Sequence, residues 1–283
     1  MSIDAMQIWS ELADECGQAK RYYDRKGINK DLILERGAAD FDQKCFPDNK
    51  HEQKHYRADY YVSRDGYMNM HIEQNLAVLR HCFEDEISQP MLFIDFGCGP
   101  MTSGLALAEV LSGKAAGYKR ETAYFGVDVS QNMVDKAKSI NKKYRLFSPG
   151  RFGVVRGTQF DAWNIPDSFP APQIVVLCLS FVLAPDTLKF QEDNDFIQNF
   201  SNYFKRYIER QPGCREARIV YLNPKSKSSY YLHDNWRIFA NSMLTSDFTS
   251  RFRYTSDGFT RLPVEILGRA DTVSTQIIRG TSK

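Results

Sequence analysis

The chain has 283 residues, 42% apolar and 25% charged, and its 37 basic and 35 acidic side chains leave a net charge of +2. That is the composition of an ordinary globular protein, long enough for one elaborated domain or two small ones. The charge balance gives no overall pull toward nucleic acid, and the longest apolar run, Ile174 to Ala184, is far short of the ~20 residues that span a bilayer.

The N-terminus, Met1 to Ala5, has neither a basic n-region nor an apolar h-region and is read as no secretory signal. None of the cysteines (Cys16, Cys45, Cys82, Cys98, Cys178 and Cys214) forms a C-x-x-C pair. They are expected to be reduced, largely buried thiols of a cytoplasmic protein.

From Asp4 to about Lys26, Trp9, Leu12, Cys16, Ala19 and Tyr23 recur at helical spacing. A short helix is expected over Lys30 to Arg36, an exposed connection over Phe41 to Arg57, and a further helix over about Met70 to Asp85. Residues 1–89 therefore read as an N-terminal helical cap or lid, and 90–283 as the main domain.

After Pro90 the pattern changes. Met91 to Phe96 is a short apolar run that ends at glycines, followed by a helical pattern through Leu111. Ala123 to Asp128 is a second such run, after which Ser130 is placed to cap a helix. Further strands are expected at Phe152 to Val155, Ile174 to Leu179 and Arg218 to Leu222. Helices are expected over about Asp186 to Arg210 and Tyr231 to Met243. Alternating strands and helices predict a mostly parallel sheet with helices on both faces, because parallel strands need long crossovers. Arg251 to Thr255 and Val273 to Arg279 have no long helix between them and are expected to pair antiparallel at the sheet edge.

The strongest chemical signal is Ile94-Asp95-Phe96-Gly97-Cys98-Gly99-Pro100, where the first strand meets its helix. In an open α/β sheet, ligands sit beyond the carboxyl ends of the strands, and bare glycine backbone lets a ligand approach closely. Asp128 ends the second strand, where a carboxylate can accept from ribose hydroxyls. Asp95 stands where it can hold a cationic amine. The next glycine after Gly99 is Gly104, so the G-x-G-x-x-G spacing that seats a pyrophosphate is absent and NAD is disfavoured.

Leu92 to Gly99 resembles the glycine-rich first motif of class I S-adenosylmethionine-dependent methyltransferases. Phe125-Gly126-Val127-Asp128-Val129-Ser130-Gln131-Asn132-Met133 resembles their second. The resemblance spans about Met91 to Leu222, is close through Lys138, and departs where many members carry a third glycine and this chain has Met101. It implies a Rossmann-like, seven-stranded, mostly parallel sheet with the last strand antiparallel, and S-adenosyl-L-methionine as cofactor. It also implies that Asp95, Gly97 and Gly99 line the methionine moiety, that Asp128 holds the ribose and that Met133 packs near the adenine. Asp161 would meet the adenine amino group, and Ser180, in the segment after strand four, would border both cofactor and acceptor.

Acceptor-side candidates are Tyr60, Tyr67 and His71, within a cluster that also includes Tyr61 and Arg64; the alternative is that these aromatics only pack the cap. Asn223-Pro224 follows strand five, not strand four, and so does not reproduce the N-P-P-Y motif of DNA adenine methyltransferases. The basic runs Lys142-Lys143, Lys225 to Lys227 and Arg251 to Arg253 read as solvated surface. The expected activity is methyl transfer to a small molecule or an exposed side chain, with no membrane partner and with nucleic acid not favoured. The alternatives are an RNA methyltransferase and a catalytically inactive cofactor-binding subunit.

Overall fold

The computed structural model describes residues 3–17, 19, 53–84, 90–114, 121–128, 130–154, 171–182, 194–224, 234–245, 251–266 and 268–283. The N-terminal part holds α1 (Ala5–Glu15), α2 (Gln53–Val62) and α3 (Met68–Cys82). There follow β1 (Met91–Phe96), α4 (Thr102–Ser112), β2 (Thr122–Asp128), α5 (Gln131–Tyr144), β3 (Gly150–Val154) and β4 (Ile174–Ser180). The chain continues with α6 (Asn194–Arg210), β5 (Glu216–Pro224), α7 (Asp234–Leu244), β6 (Phe252–Ile266) and β7 (Arg269–Ser282).

The seven strands form one sheet in the order β3-β2-β1-β4-β5-β7-β6. Strands β1 to β5 pair parallel, whereas β7 runs antiparallel to both β5 and β6. This is the Rossmann-like α/β sheet expected from the sequence. Strand order reverses between β1 and β4, and that switch point is where such a sheet binds ligands.

The central strands are apolar without alternation because both of their faces are covered. Phe93, Val176 and Val220 join one core with Leu12, Ile72 and Leu79 of the N-terminal helices and Leu105 of α4. Ile94, Leu177 and Ile219 face the other way, onto Phe200, Phe204 and Phe239 of α6 and α7. The period-2 geometry of a strand thus sends successive side chains into two separate cores.

Several elements differ from expectation. Gln53 to Arg57, read as part of an exposed connection, begin α2. Their sequence is too polar to show an apolar stripe; tertiary contacts further along hold the helix instead. Trp9 Nε1 donates to the Val62 carbonyl at 2.9 Å, and Lys136 pairs with Asp59 at 2.7 Å. Helix α1 ends at Glu15 with Cys16 as its C-cap, short of Lys26. Ser130 occupies the N-cap position of α5, but its side chain makes no capping bond.

The terminal hairpin is far longer than expected. A bulge between Ser256 and Phe259, with Gly258 at φ +79°, interrupts its alternation and conceals its length in the sequence. The expected helix over Lys30 to Arg36 lies outside the described residues. Among the described residues no helix is long and apolar enough to cross a membrane.

Candidate functional site

The loop after β1 is built by backbone constraint. Gly97 has φ +72°, and its N–H and that of Cys98 both donate to the Val127 carbonyl, at 2.8 and 2.9 Å. A Cβ on Gly97 would lie 2.4 Å from Val182 Cγ2, so a glycine is what lets the loops after β1 and β4 touch across the switch point. Gly99 also has a positive φ, +52°, yet a Cβ there would meet nothing nearer than Thr102 Oγ1 at 4.0 Å. The backbone at Gly99 therefore borders open space.

Asp128 joins the tip of β2 to this loop. Its Oδ2 accepts the Gly99 N–H at 2.9 Å and its Oδ1 the Ser130 N–H at 2.8 Å. The side chain remains partly exposed, and a carboxylate offers about four acceptor sites in all. The neighbouring Ser130 Oγ is buried without a hydrogen-bond partner among the described residues. Met133 is buried in the first turn of α5.

Asp95 is placed differently from expectation. It is 0% exposed, with Oδ1 accepting from Ser103 Oγ at 3.0 Å and Oδ2 from Tyr124 Oη at 2.6 Å. Burial pushes its carboxyl up to about 7, against the pull of those two donors. A carboxyl so enclosed, with Ser103 on one oxygen and Tyr124 on the other, underpins the loop from beneath. Its pattern position alone could not reveal this, because its donors lie on α4 and β2.

Met101, where a third glycine was missing, adopts φ +74° at the N-cap of α4 and is fully buried. Its side chain lies over Gly104, where a Cβ would fall 2.6 Å from Met101 Cγ. The left-handed turn is thus kept without glycine, at a cost of about 1–2 kcal/mol, and held by packing.

Of the candidates from the N-terminal helices, Tyr60 is buried in α2, 4% exposed. Its neighbour Tyr61 is the residue aimed at the loop. The Tyr61 hydroxyl shares a 2.6 Å hydrogen bond with His71 Nδ1. Removal from water, with the Asp128 and Asp95 carboxylates nearby, raises the Tyr61 phenol above its ordinary value. Burial likewise lowers His71 to about 4, leaving it neutral at pH 7.

His71 stacks on Phe181 with ring centroids 4.1 Å apart, and the Tyr67 ring is tilted 6.0 Å away. Phe181 itself stands at φ +61°, an unusual conformation for an aromatic residue, and its N–H donates to the Leu222 carbonyl at 3.1 Å. Ser180 is buried, and its Oγ accepts from Asn75 Nδ2 of α3 at 3.1 Å. The tip of β4 is thereby fastened to the N-terminal helices.

The sequence reading did not single out Asn75, Val182 or the Ser130 hydroxyl, and it ranked Tyr60 above Tyr61. Helical phase separates the two tyrosines by about 100°. Without α2 recognised, no phase was available to choose between them.

Asp161 and Lys225 to Lys227 lie outside the described residues. Trp236 is fully buried and stacks on Tyr221 at 4.4 Å. Arg64 pairs with Asp14 at 2.8 Å on the surface. Lys143 is bonded to Glu15, and Arg251 donates to the Gln211 and Cys214 carbonyls at 2.8 and 2.9 Å.

No protein-family model matches the sequence, and no curated protein matches it. Among solved structures, the chain is similar to an S-adenosylmethionine-dependent methyltransferase from Aquifex aeolicus, at 11% identity and TM-score 0.42, over 75% of this chain and 92% of that one. It is similar to a precorrin-6y C5,15-methyltransferase from Geobacter metallireducens, at 10% identity and TM-score 0.40, over 74% and 86%. It is also similar to an S-adenosylmethionine-dependent O-methyltransferase from Thermotoga maritima, at 11% identity and TM-score 0.40, over 74% and 64%. At these values the likeness says nothing about substrate.

Proposed function

We propose that the crevice at the β1–β4 switch point binds S-adenosyl-L-methionine and that the protein transfers its methyl group to a small molecule or an exposed side chain. One juxtaposition carries this reading. A partly exposed carboxylate at the tip of β2 is bonded to Gly99, whose backbone borders open space. A ribose-bearing ligand suits such a pair, and the absence of a G-x-G-x-x-G spacing disfavours a dinucleotide.

The residues present fit the cofactor. Asp128 would hold the ribose hydroxyls, and Gly97 and Gly99 would line the methionine moiety. Met133 would pack near the adenine. The Ser130 Oγ, buried and unpartnered among the described residues, is the kind of group a polar ligand satisfies. When bound, the cofactor supplies a methyl carbon already activated by its sulfonium.

What remains for the chain is alignment and exclusion of water. Tyr61, His71 and Phe181 form a wall beside the loop, held in place by the Asn75–Ser180 hydrogen bond. With His71 lowered to about 4, this wall is a poor proton acceptor at pH 7 and is better suited to positioning a nucleophile that arrives neutral. The left-handed Phe181 at the strand tip is consistent with a functional role, because strained backbone gathers at ligand sites. The reading includes a cytoplasmic setting, to which the five free, buried cysteines described are suited.

The test is transfer of a labelled methyl group from S-adenosylmethionine into fractionated cell extract. The wild type is expected to label one fraction, small-molecule or protein, and Asp128→Ala to label none. Labelling that survives Asp128→Ala undiminished would place the donor elsewhere. Label confined to RNA would favour the alternative acceptor class.

A further inference from the structure

A cavity of about 460 Å³ opens at the end of the sheet opposite the crevice, between the turn that precedes β5, the start of β6 and the end of β7. Two main-chain bonds draw its walls together. The Ser282 N–H donates to the Arg215 carbonyl at 3.0 Å, and the Lys283 N–H to the Arg251 carbonyl at 2.9 Å. The lining residues thus include three cations, Arg215, Arg251 and Lys283, and no acidic side chain. Among the described residues none of the three cations forms an ion pair. Glu216, beside Arg215 in the chain, is held instead by Arg218 at 2.6 Å.

The Arg251 guanidinium is fixed in place. Its Nη2 donates to the Gln211 and Cys214 carbonyls, and its Cζ lies 4.9 Å from the centre of the Phe252 ring. Its Nε is nevertheless buried with no hydrogen-bond partner among the described residues. Tyr254 Oη is a second such atom, on a side chain 8% exposed. Burial raises the Tyr254 phenol above its ordinary value; Glu209 and Cys214 add to the rise and Arg251 opposes it. The phenol therefore keeps its proton and can donate it. Buried donors are nearly always satisfied, and here two of them, both beside Cys214, lack an acceptor. Three cations and two idle donors at one cavity ask for an anion.

We propose that this cavity binds a small phosphate monoester, whose phosphoryl oxygens accept from Arg251 Nε and are met by the Arg215 guanidinium and the Lys283 ammonium, with the Tyr254 hydroxyl as a further donor. Such a group carries a charge of about −1.5 to −2 at pH 7 and three acceptor oxygens. A carboxylate brings one charge and two oxygens, and so answers less of what the cavity offers. Arg251 supplies a rigid donor, while Arg215 and Lys283 are exposed and free to close on the ligand from solvent. The volume lies at the small end of the range for ligand pockets, with room for a short organic group beyond the phosphoryl. This site does not rest on the methyl-transfer reading, and either can hold without the other.

The probe is glycerol 3-phosphate, titrated calorimetrically into the full chain in phosphate-free buffer, with inorganic phosphate and glycerol as separate arms. Submillimolar binding of glycerol 3-phosphate is expected, with inorganic phosphate several-fold weaker and glycerol silent. Arg215→Gln and Lys283→Gln should each weaken the monoester at least threefold. Tyr254→Phe should weaken it similarly while leaving the thermal midpoint unchanged or higher, since it deletes a buried hydroxyl that has no partner. Arg251 is left intact, because its Nη2 holds two carbonyls. Four outcomes overturn the site: no binding of the monoester at about 10 mM, inorganic phosphate binding more tightly than the monoester, full displacement by equimolar chloride, or undiminished affinity in a folded Arg215→Gln/Lys283→Gln/Tyr254→Phe variant. Should that triple variant melt early, the Arg215→Gln/Lys283→Gln pair decides, since both side chains are exposed.

Discussion

Asp128 accepts the N–H of Gly99 at 2.9 Å, so the carboxylate that ends β2 and the glycine loop that follows β1 form one unit. Neither strand alone makes a site. Together they put an acceptor-rich side chain next to backbone with open space beside it, at the point where the sheet reverses its order.

Tyr61→Phe removes the hydroxyl bonded to His71 and leaves Nδ1 unpaired in a largely dry setting. A loss of about 1–2 kcal/mol in unfolding free energy is expected. If the pair positions the acceptor, turnover should fall at least tenfold while affinity for S-adenosylmethionine changes less than threefold. Tyr60→Phe, on the buried side of α2, should leave turnover within twofold. Steady-state kinetics with separate kcat and KM checks both variants.

The neutral, half-buried His71 makes stability depend on pH. Its pKa is about 4 when folded against an ordinary 6.5, so between those values the unfolded chain binds the extra proton. The contribution is therefore fully present above pH 6.5 and is lost as pH falls toward 4, by up to about 3 kcal/mol. Denaturant titrations from pH 7 to pH 4 should show His71→Leu losing less stability over that window than the wild type.

Asp95 works in the opposite sense. Its carboxyl is raised to about 7 from an ordinary 3.8, so its contribution is full below pH 3.8 and fades as pH rises through 7. Asp95→Asn keeps an acceptor in place but cannot ionise. Relative to wild type, this variant should gain stability steadily from pH 4 to pH 8, by a few kcal/mol in all. A flat difference would mean that Asp95 is ionised at little cost, or that the wild type relaxes to solvate it.

Met101→Gly sets two effects against each other. Glycine relieves about 1–2 kcal/mol of left-handed strain, but deleting a fully buried methionine side chain typically costs about 2–5 kcal/mol. Packing should win, with a net destabilisation of about 1–3 kcal/mol in urea titration. A more stable variant would show that the side chain contributes little over Gly104.

Much of the fold could be read from local pattern. Met91 to Phe96 and Ile174 to Ser180 are apolar runs whose length and glycine or polar ends mark them as buried strands. The Gly97–Gly99 loop and Asp128 likewise follow from their places at strand ends. What was not legible depends on contacts distant in sequence. Gln53 to Val62 are helical through Trp9 and Lys136, and Asp95 is sealed by Tyr124 and Ser103. The Tyr61–His71 pair becomes evident only once α2 and α3 are set side by side. Helix periodicity says which residues share a face, not what that face meets.

Calorimetric titration with S-adenosylhomocysteine, the demethylated product, tests the central claim most directly, because it needs no acceptor. One-to-one binding at micromolar affinity is expected for the wild type. Asp128→Ala should weaken binding at least fiftyfold with its far-ultraviolet spectrum retained, and Asp128→Asn should fall between the two. Absence of binding to the wild type, or equal affinity in a folded Asp128→Ala, would contradict the assignment of this crevice to the cofactor.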